Sequence, residues 1–490
     1  MTSIKRCYDA PAKVRMRLSV VSCLLALAIS GVVWNAEPQE QRRPNVLFLI
    51  ADDLNNDLGT YGAPVRSPNI DRLAARGVRF ERAYVQYPLC SPSRSSLLTG
   101  RRPNATGVLT NPPPSNPMSP NFREKLPDAV TLPQFFRTNG RFAARVGKLY
   151  HYGVPNNIGS GGLDDYVSWD LAINPRGLDR EVHDRIFSLK SGQFGGTLSW
   201  LAAEGADVEH TDGIAAAEAI KLLERFKRNH ESFFLAVGFY RPHTPYVAPK
   251  RYFDMYPRDR IELARLSDAD RSRTPEAAYR SALPEQDAMT DDQRREAIQA
   301  YRASITFMDA QVGRVLDALD RLRLADSTIV VFTSDHGYHL GDHGLWQKMS
   351  VFERSARVPL IIAAPSAKAR GAVARGLAEL VDVYPTLADL AGLKPQGPLD
   401  GVSLAPMLQD PSATVKGAAF TQVRNGYAIR TDRFRYIEWD EGRQGSQLYD
   451  MNTDPAETTN LANDAGHAET VKDLRARLAA YRKPPEPTKH

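Results

Sequence analysis

Unbroken apolar runs set the frame of this chain. Residues 46–51, 233–239, 328–333 and 358–364 carry almost no charged or strongly polar side chains. Runs of that kind, without alternation, predict strands buried on both faces, as in a parallel sheet. Residues 142–147 read as a further strand. Between the runs lie helical patterns. Ser67-Pro68 opens a helix that continues to Arg76 and stops at Gly77, with cap, first-turn proline and terminal glycine in place. Longer amphipathic helices are expected over 211–228 and 292–322, and another over 380–390 with Pro385 inside it. The proline-rich stretch 111–120 predicts loop. Residues 153–211 show glycines, tryptophans and little periodicity, which suggests an elaborated surface region beside a pocket. The polar stretch 250–286 is the second place where specificity would reside. From about Val415 the texture changes to short alternating strands (418–423, 427–430, 434–439, 447–449) and a last helix over 469–481. That predicts a small antiparallel sheet with a helix packed on it. The expected fold class is α/β: a catalytic domain over 44–410 with a large, mainly parallel sheet flanked by helices, then an α+β subdomain over 411–490.

The first residues read differently. Lys13, Arg15 and Arg17 precede an uncharged apolar run over 18–34, followed by polar residues to Arg43. This predicts a cleaved export leader, residues 1–36, and a periplasmic or secreted protein that meets a membrane only through an uncleaved leader. The leader holds Lys5, Arg6, Lys13, Arg15 and Arg17 against Asp9, so four of the six net positive charges leave with it. The basic balance is therefore no argument for nucleic acid. Cys7 and Cys23 leave too, so Cys90 is the single cysteine after residue 36. It cannot form an internal disulfide, and a lone thiol in an oxidising compartment favours a chemical role over a buried, inert one.

Cys90 sits in Cys90-Ser91-Pro92-Ser93-Arg94, ahead of a short helical turn ending in Thr99-Gly100. At a helix amino end the free N–H groups favour a negative group, and Arg94 adds a fixed positive charge one turn on. Chemistry-capable residues also follow strand after strand: Asp52 and Asp53, Lys148 and His151, His243, Asp335 and His336, and then Lys348. In an open α/β sheet such positions gather at one edge. Three carboxylates gathered there need a cation, and oxygen ligands without a second thiolate point to Ca²⁺ or Mg²⁺ rather than Zn²⁺. Asp335-His336-Gly337 has a twin seven residues on, Asp342-His343-Gly344. The first is preferred because it leaves a buried strand directly.

With these residues in view, residues 90–100 resemble the sulfatase pattern around the cysteine that is oxidised to formylglycine. Asp52-Asp53 and Asp335-His336 resemble that family's metal-binding pairs. Gly147-Lys148-Leu149-Tyr150-His151 resembles its second signature, with Arg141 and Ala143 as departures. Similarity extends over nearly the whole chain after the leader. Through Arg241-Pro242-His243, the step from Lys148 to His151, and Trp346-Gln347-Lys348, it is most similar to the iduronate-2-sulfatase group.

The resemblance implies an alkaline-phosphatase-like sandwich. It also implies a sulfuric ester hydrolase acting on a sulfated sugar, with one Ca²⁺ on Asp52, Asp53, residue 90, Asp335 and His336. A formylglycine-generating enzyme would convert Cys90 to an aldehyde, whose hydrate supplies the nucleophile. Arg94, Lys148 and Lys348 would stabilise charge on the sulfuryl oxygens, His243 would serve the leaving oxygen, and His151 would act as base. Three alternatives stand beside this: a phosphonate or phosphate ester hydrolase of the same superfamily, a cysteine hydrolase, and a catalytically silent glycan-binding protein.

Overall fold

The computed structural model describes residues 44–482 apart from 114 and 265–266, and apart from the side chains of 268 and 269. The expected leader lies outside the described residues. Eight strands form the central sheet, in the spatial order Val373–Glu379, Val78–Tyr84, Arg357–Ala363, Thr328–Ser334, Asn45–Ala51, Phe233–Gly238, Phe142–Gly147, Leu171–Ile173. Neighbours are parallel except around Arg357–Ala363, which runs antiparallel to the strands on both sides. The sheet is thus mixed and mostly parallel.

Alternation within the apolar runs builds two cores. Leu47, Leu49, Leu235, Val237, Val330 and Phe332 face the layer that holds helices Thr211–Asn229 and Asp291–Arg321. Val46, Phe48, Ile50, Phe234, Ala236, Ile329 and Val331 face the opposite layer, with helices Leu132–Thr138 and Val383–Leu390. Each central strand is therefore apolar on both faces through its middle, as strands covered on both faces must be. The long helix opens on a capping box between Thr290 and Gln293. Pro385 falls in the first turn of Val383–Leu390, where no intrahelical N–H is required, so the helix is not broken.

The end of the chain forms a four-stranded antiparallel sheet with simple up-and-down order: Ala419–Val423, Gly426–Arg430, Phe434–Trp439 and Ser446–Asp450. Helix Ala468–Arg482 covers one face through Leu474 and Leu478 against Ile429, Tyr436 and Leu448. The other face joins the rest of the molecule: Val423, Ala428, Ile437 and Trp439 share one cluster with Tyr87, Leu89, Leu345 and Val351. Residues 153–211 contribute strand Ser199–Ala203, which pairs with Tyr246–Pro249 in a small separate sheet.

Register places the chemistry. Ala51 pairs with Ser334, and Ile50 pairs with Gly238, which itself pairs with Gly147. The strands before Asp52, Asp335, Phe239 and Lys148 thus end at one level. The close approach there needs glycine. A Cβ on Gly238 would lie 1.9 Å from the Lys148 carbonyl oxygen, and one on Gly147, at φ +76°, would lie 2.2 Å from the carbonyl oxygen of Gly238.

Candidate functional site

Asp52 and Asp53 turn sharply off the end of strand Asn45–Ala51. Asp53 is in the left-handed region, φ +63°, an uncommon conformation for a residue other than glycine. Its neighbours hold it there. The Tyr301 hydroxyl donates to the Asp53 carbonyl at 2.7 Å, the Asp53 amide donates to Asp335 Oδ1 at 3.0 Å, and the Leu54 amide donates to Ser334 Oγ at 2.9 Å. Cys90 is the first residue of helix Cys90–Thr99. Ser93 Oγ, one turn on, donates to the Asp335 carbonyl and fixes that helix against the strand end.

Arg94 is wholly buried and bridges two of the acids. Its Nη2 donates to Asp52 Oδ1 at 3.0 Å and its Nε to Asp335 Oδ2 at 2.9 Å, while Nη1 reaches the carbonyls of Lys148 and Leu149. Lys148 Nζ lies 2.5 Å from Asp52 Oδ2. Lys348 Nζ lies 2.7 Å from Asp53 Oδ1, 3.2 Å from Cys90 Sγ and 3.2 Å from His243 Nε2. His336 Nε2 is 3.1 Å from Asp53 Oδ1 and 3.4 Å from Cys90 Sγ. All ten residues singled out in the sequence thus gather at one place. His151 interacts with the Cys90 thiol from the cleft side. The twin Asp342-His343 does not reach this cluster: Asp342 pairs with Arg354, and His343 stacks on Phe352.

The electrostatics favour negative charge at position 90. Burial raises the Cys90 thiol, but Lys348, Lys148 and His336 outweigh it and hold its pKa well below the ordinary value. Burial likewise raises both strand-end acids, yet Lys148, His243 and Arg94 hold Asp52 well below the carboxylate range, and His243, Lys348 and His336 hold Asp53 below it. Asp335 goes the other way. There burial outweighs Arg94 and His336, and the pKa rises to about 6. Burial lowers His336, but Asp335 and Asp53 prevail and raise it well above its usual value.

The donor set fits a hard divalent ion. One ligand atom from each of Asp53, Cys90, Asp335 and His336 lies within 4.8 Å of the others, and Asp52, Asp53 and His243 meet the same condition. The two groups share Asp53, and buried carboxylates with no second thiolate match Ca²⁺ or Mg²⁺. His336 Nδ1 is 3.0 Å from the Gly337 carbonyl oxygen. With a proton on Nδ1 the ring donates to that carbonyl and turns Nε2 toward the acids, the orientation a metal-ligating histidine needs.

The family profile described as Sulfatase matches residues 44–393, and one described as N-sulphoglucosamine sulphohydrolase, C-terminal, matches 341–484. The chain belongs to the sulfatase family. It is a hydrolase of sulfate esters, and Cys90 occupies the helix start on which the resemblance rests. Its relatives include a sulfatase of Formosa agariphila, 34% identical over 452 residues, covering 90% of this chain and 87% of the relative. Iduronate 2-sulfatase of Mus musculus is 33% identical over 525 residues, covering 88% of this chain and 93% of the relative. The solved phosphonate monoester hydrolase of Agrobacterium radiobacter superposes with a TM-score of 0.73 at 25% identity, over 90% of this chain and 95% of that one. The sandwich is the alkaline-phosphatase-like fold that the resemblance implied.

A cleft of about 810 Å³ opens onto this sulfatase's reactive cluster at His151, His243 and Lys348. Its walls include Val154 and Phe194 from the stretch of little periodicity, 153–211, and Arg280 and Leu283 from the polar stretch, 250–286. Two residues that hold the site left no mark in the sequence. Asp212 accepts the amides of Tyr240 at 2.8 Å and Arg241 at 3.0 Å. Asp179 takes Arg241 Nη2 at 2.6 Å, while Arg241 Nε and Nη1 bind the carbonyls of Val247 and Pro245. Buried Arg241 thereby cages the loop that carries His243. Asp179 lies 62 residues from Arg241, and no local motif relates them.

Proposed function

We propose that this sulfatase removes sulfate from a sulfated carbohydrate, in the manner of an iduronate 2-sulfatase, with formylglycine made from Cys90 and one Ca²⁺. The observation that carries the reading is the gathering of Asp53, Asp335, His336 and residue 90 within reach of one ion, with Asp52 tied to Asp335 through Arg94 and with Lys148 and Lys348 alongside, beneath a cleft of sugar-binding size. The relative named iduronate 2-sulfatase, aligned over 88% of this chain, supports the substrate class.

Asp52, Asp53, Asp335 and residue 90 would hold the ion, with His336 beside them. Bound there, a hard divalent ion supplies charge that polarises a sulfate ester and favours an ionised oxygen nucleophile, and formylglycine supplies that oxygen as a hydrated aldehyde. The chain's own groups do the rest. Lys148 and Lys348 rest on carboxylates that the ion would share, so their charge is available to the sulfuryl oxygens once those acids are neutralised. Each such preorganised donor is worth about 3–4 kcal/mol of barrier. His243 Nδ1 is 2.5 Å from the Thr244 carbonyl oxygen, which fixes the ring with Nε2 toward the reacting centre, where it serves the departing sugar oxygen. Burial lowers the pKa of His151 despite its contact with Cys90, so it stays neutral near physiological pH and can accept a proton.

Maturation by a formylglycine-generating enzyme and export through the leader at residues 1–36 belong to the same reading. Cell fractionation and the amino-terminal sequence of the mature protein test export. A second reading, phosphonate or phosphate ester hydrolysis, is favoured by the superposition on the phosphonate monoester hydrolase. Paired assays with aryl sulfate and aryl phosphonate separate the two: the sulfatase reading expects kcat/KM to be higher on the sulfate, and the reverse order would replace it.

A further inference from the structure

His243 and Lys348 come from loops 105 residues apart, and a ring nitrogen of one meets the ammonium of the other at 3.2 Å. Neither loop belongs to the central sheet. Lys348 follows Trp346–Gln347, which forms a two-stranded sheet with His339–Leu340. A pair that short has little stability of its own. One element touches both loops. It is the hairpin turn over residues 189–198, closed where the Leu189 amide donates to the Leu198 carbonyl at 3.1 Å. The paired strands Phe187–Ser188 and Ser199–Ala203 flank it. Phe194, Gly195 and Gly196 of this turn line the cleft together with His243 and Lys348.

Each side of the turn holds one of the two loops. Thr244, buried next to His243, donates through Oγ1 to the Thr197 carbonyl at 3.1 Å and accepts the Ser199 amide at 3.2 Å. Gln347, buried next to Lys348, donates from Nε2 to the Gly196 carbonyl at 3.0 Å. It makes this contact from the left-handed region, φ +71°, which a residue with a side chain keeps only where its surroundings hold it. On the far side of Lys348, the Met349 amide donates to the Pro88 carbonyl at 3.1 Å. Lys348 is thus slung between the segment that leads to residue 90 and the turn. The turn is stiff. Ser188 Oγ donates to the Gln193 carbonyl at 2.6 Å. A Cβ on Gly195, at φ +79°, would lie 2.7 Å from the Val154 carbonyl oxygen, so the turn is wedged against the opposite cleft wall.

We propose that the turn over 189–198 sets the spacing between His243 and Lys348, with Thr244 and Gln347 as positioning residues on its two sides. This role rests on the reading of His243 as the group that serves the departing oxygen and of Lys348 as a charge on the sulfuryl oxygens. The contacts run in series, from His243 through Thr244, Thr197, Gly196 and Gln347 to Lys348. A series link is broken by the loss of either clasp, and loss of the second then changes little. Two residues that only steadied their own loops would act independently. Because Phe194 lines the cleft on the same turn, the wall that a substrate touches is also the brace of the two groups that act on it.

The test uses the full chain, matured by a formylglycine-generating enzyme and loaded with Ca²⁺, with methylumbelliferyl sulfate as the probe. Gln347→Leu and Thr244→Val should each lower kcat about five- to tenfold, the worth of one hydrogen bond, with KM little changed. The double variant should lose about as much as either single one. Thr244→Ser keeps the hydroxyl and should restore kcat. Gln347→Asn tolerates the left-handed backbone but falls one methylene short of Gly196, so it should behave as Gln347→Leu does. Losses that multiply in the double variant, or full activity in Gln347→Asn, overturn the proposal. Crystal structures of the parent and of Gln347→Leu, both with Cys90 unmodified, give a reading that needs no turnover. The distance from Lys348 Nζ to His243 Nε2, 3.2 Å in the parent, should open past hydrogen-bonding range in the variant. An unchanged distance overturns the proposal as well. If the matured parent hydrolyses no aryl sulfate, the sulfatase reading of the site fails, and the crystallographic comparison still decides whether the turn sets the spacing.

Discussion

Lys348 and Asp53 are 295 residues apart, yet the lysine ammonium lies 2.7 Å from one carboxylate oxygen and 2.9 Å from the other. The two meet because Lys348 follows a two-residue strand, Trp346–Gln347, through backbone at φ +71° for Gln347 and +64° for Met349. Asp53, opposite, is held in its own left-handed turn by Tyr301. Two strained backbones are thus aimed at one contact.

The first prediction follows from that contact. Removing one partner of a buried ion pair leaves the other charge uncompensated, at a cost of about 3–5 kcal/mol. Lys348→Met should therefore lower the melting temperature sharply in chelator. Ca²⁺, which would share Asp53, should restore most of the loss. Activity on aryl sulfate should fall about 10²–10³-fold even with Ca²⁺ present. Thermal scans with and without the ion check the first part. Equal destabilisation in both conditions would mean that the ion does not sit on Asp53.

Arg94 bridges Asp52 and Asp335 through separate nitrogens and spends a third on two carbonyls. A lysine has one nitrogen and cannot reproduce the fork. Arg94→Lys should lose activity about as completely as Arg94→Ala, with weaker binding of the divalent ion in both. Recovery of more than a tenth of the activity in the lysine variant would show that charge alone suffices there.

Asp212 gives a signed pH dependence. Burial, opposed by Arg241 and two backbone amides, raises its pKa from 3.8 to about 7. The folded state therefore binds the proton more tightly than the unfolded chain does. Its contribution is fully present below pH 3.8 and is lost as the pH rises to about 7. An Asp212→Asn chain should gain stability relative to the parent as the pH is raised across that window, as read by denaturant melts at several pH values. Because one amide loses its acceptor and the Arg241 cage loosens, kcat should also fall, with KM for aryl sulfate little changed. A flat difference in stability across the window would mean that Asp212 stays ionised throughout.

The parts of this molecule legible in the sequence are those whose environment is local. Strands Asn45–Ala51, Phe233–Gly238 and Thr328–Ser334 announce themselves because both faces are buried, which leaves no polar position to mask the run. Val78–Tyr84 and Val373–Glu379 escape notice. They lie toward one side of the sheet and carry Arg79, Glu81 and Arg375, whose charges break the apolar pattern. The reactive residues were readable because each follows a strand or opens a helix. Asp179 and Asp212 were not, because each acts through a partner brought in by the tertiary fold.

The most direct test is the mass of the peptide that contains residue 90, taken from enzyme co-expressed with a formylglycine-generating enzyme and assayed on aryl sulfate. Replacement of sulfur and two hydrogens by one oxygen is the predicted change, in a fraction of chains that rises in proportion to activity. Full activity from chains in which residue 90 is still an unmodified thiol would contradict it.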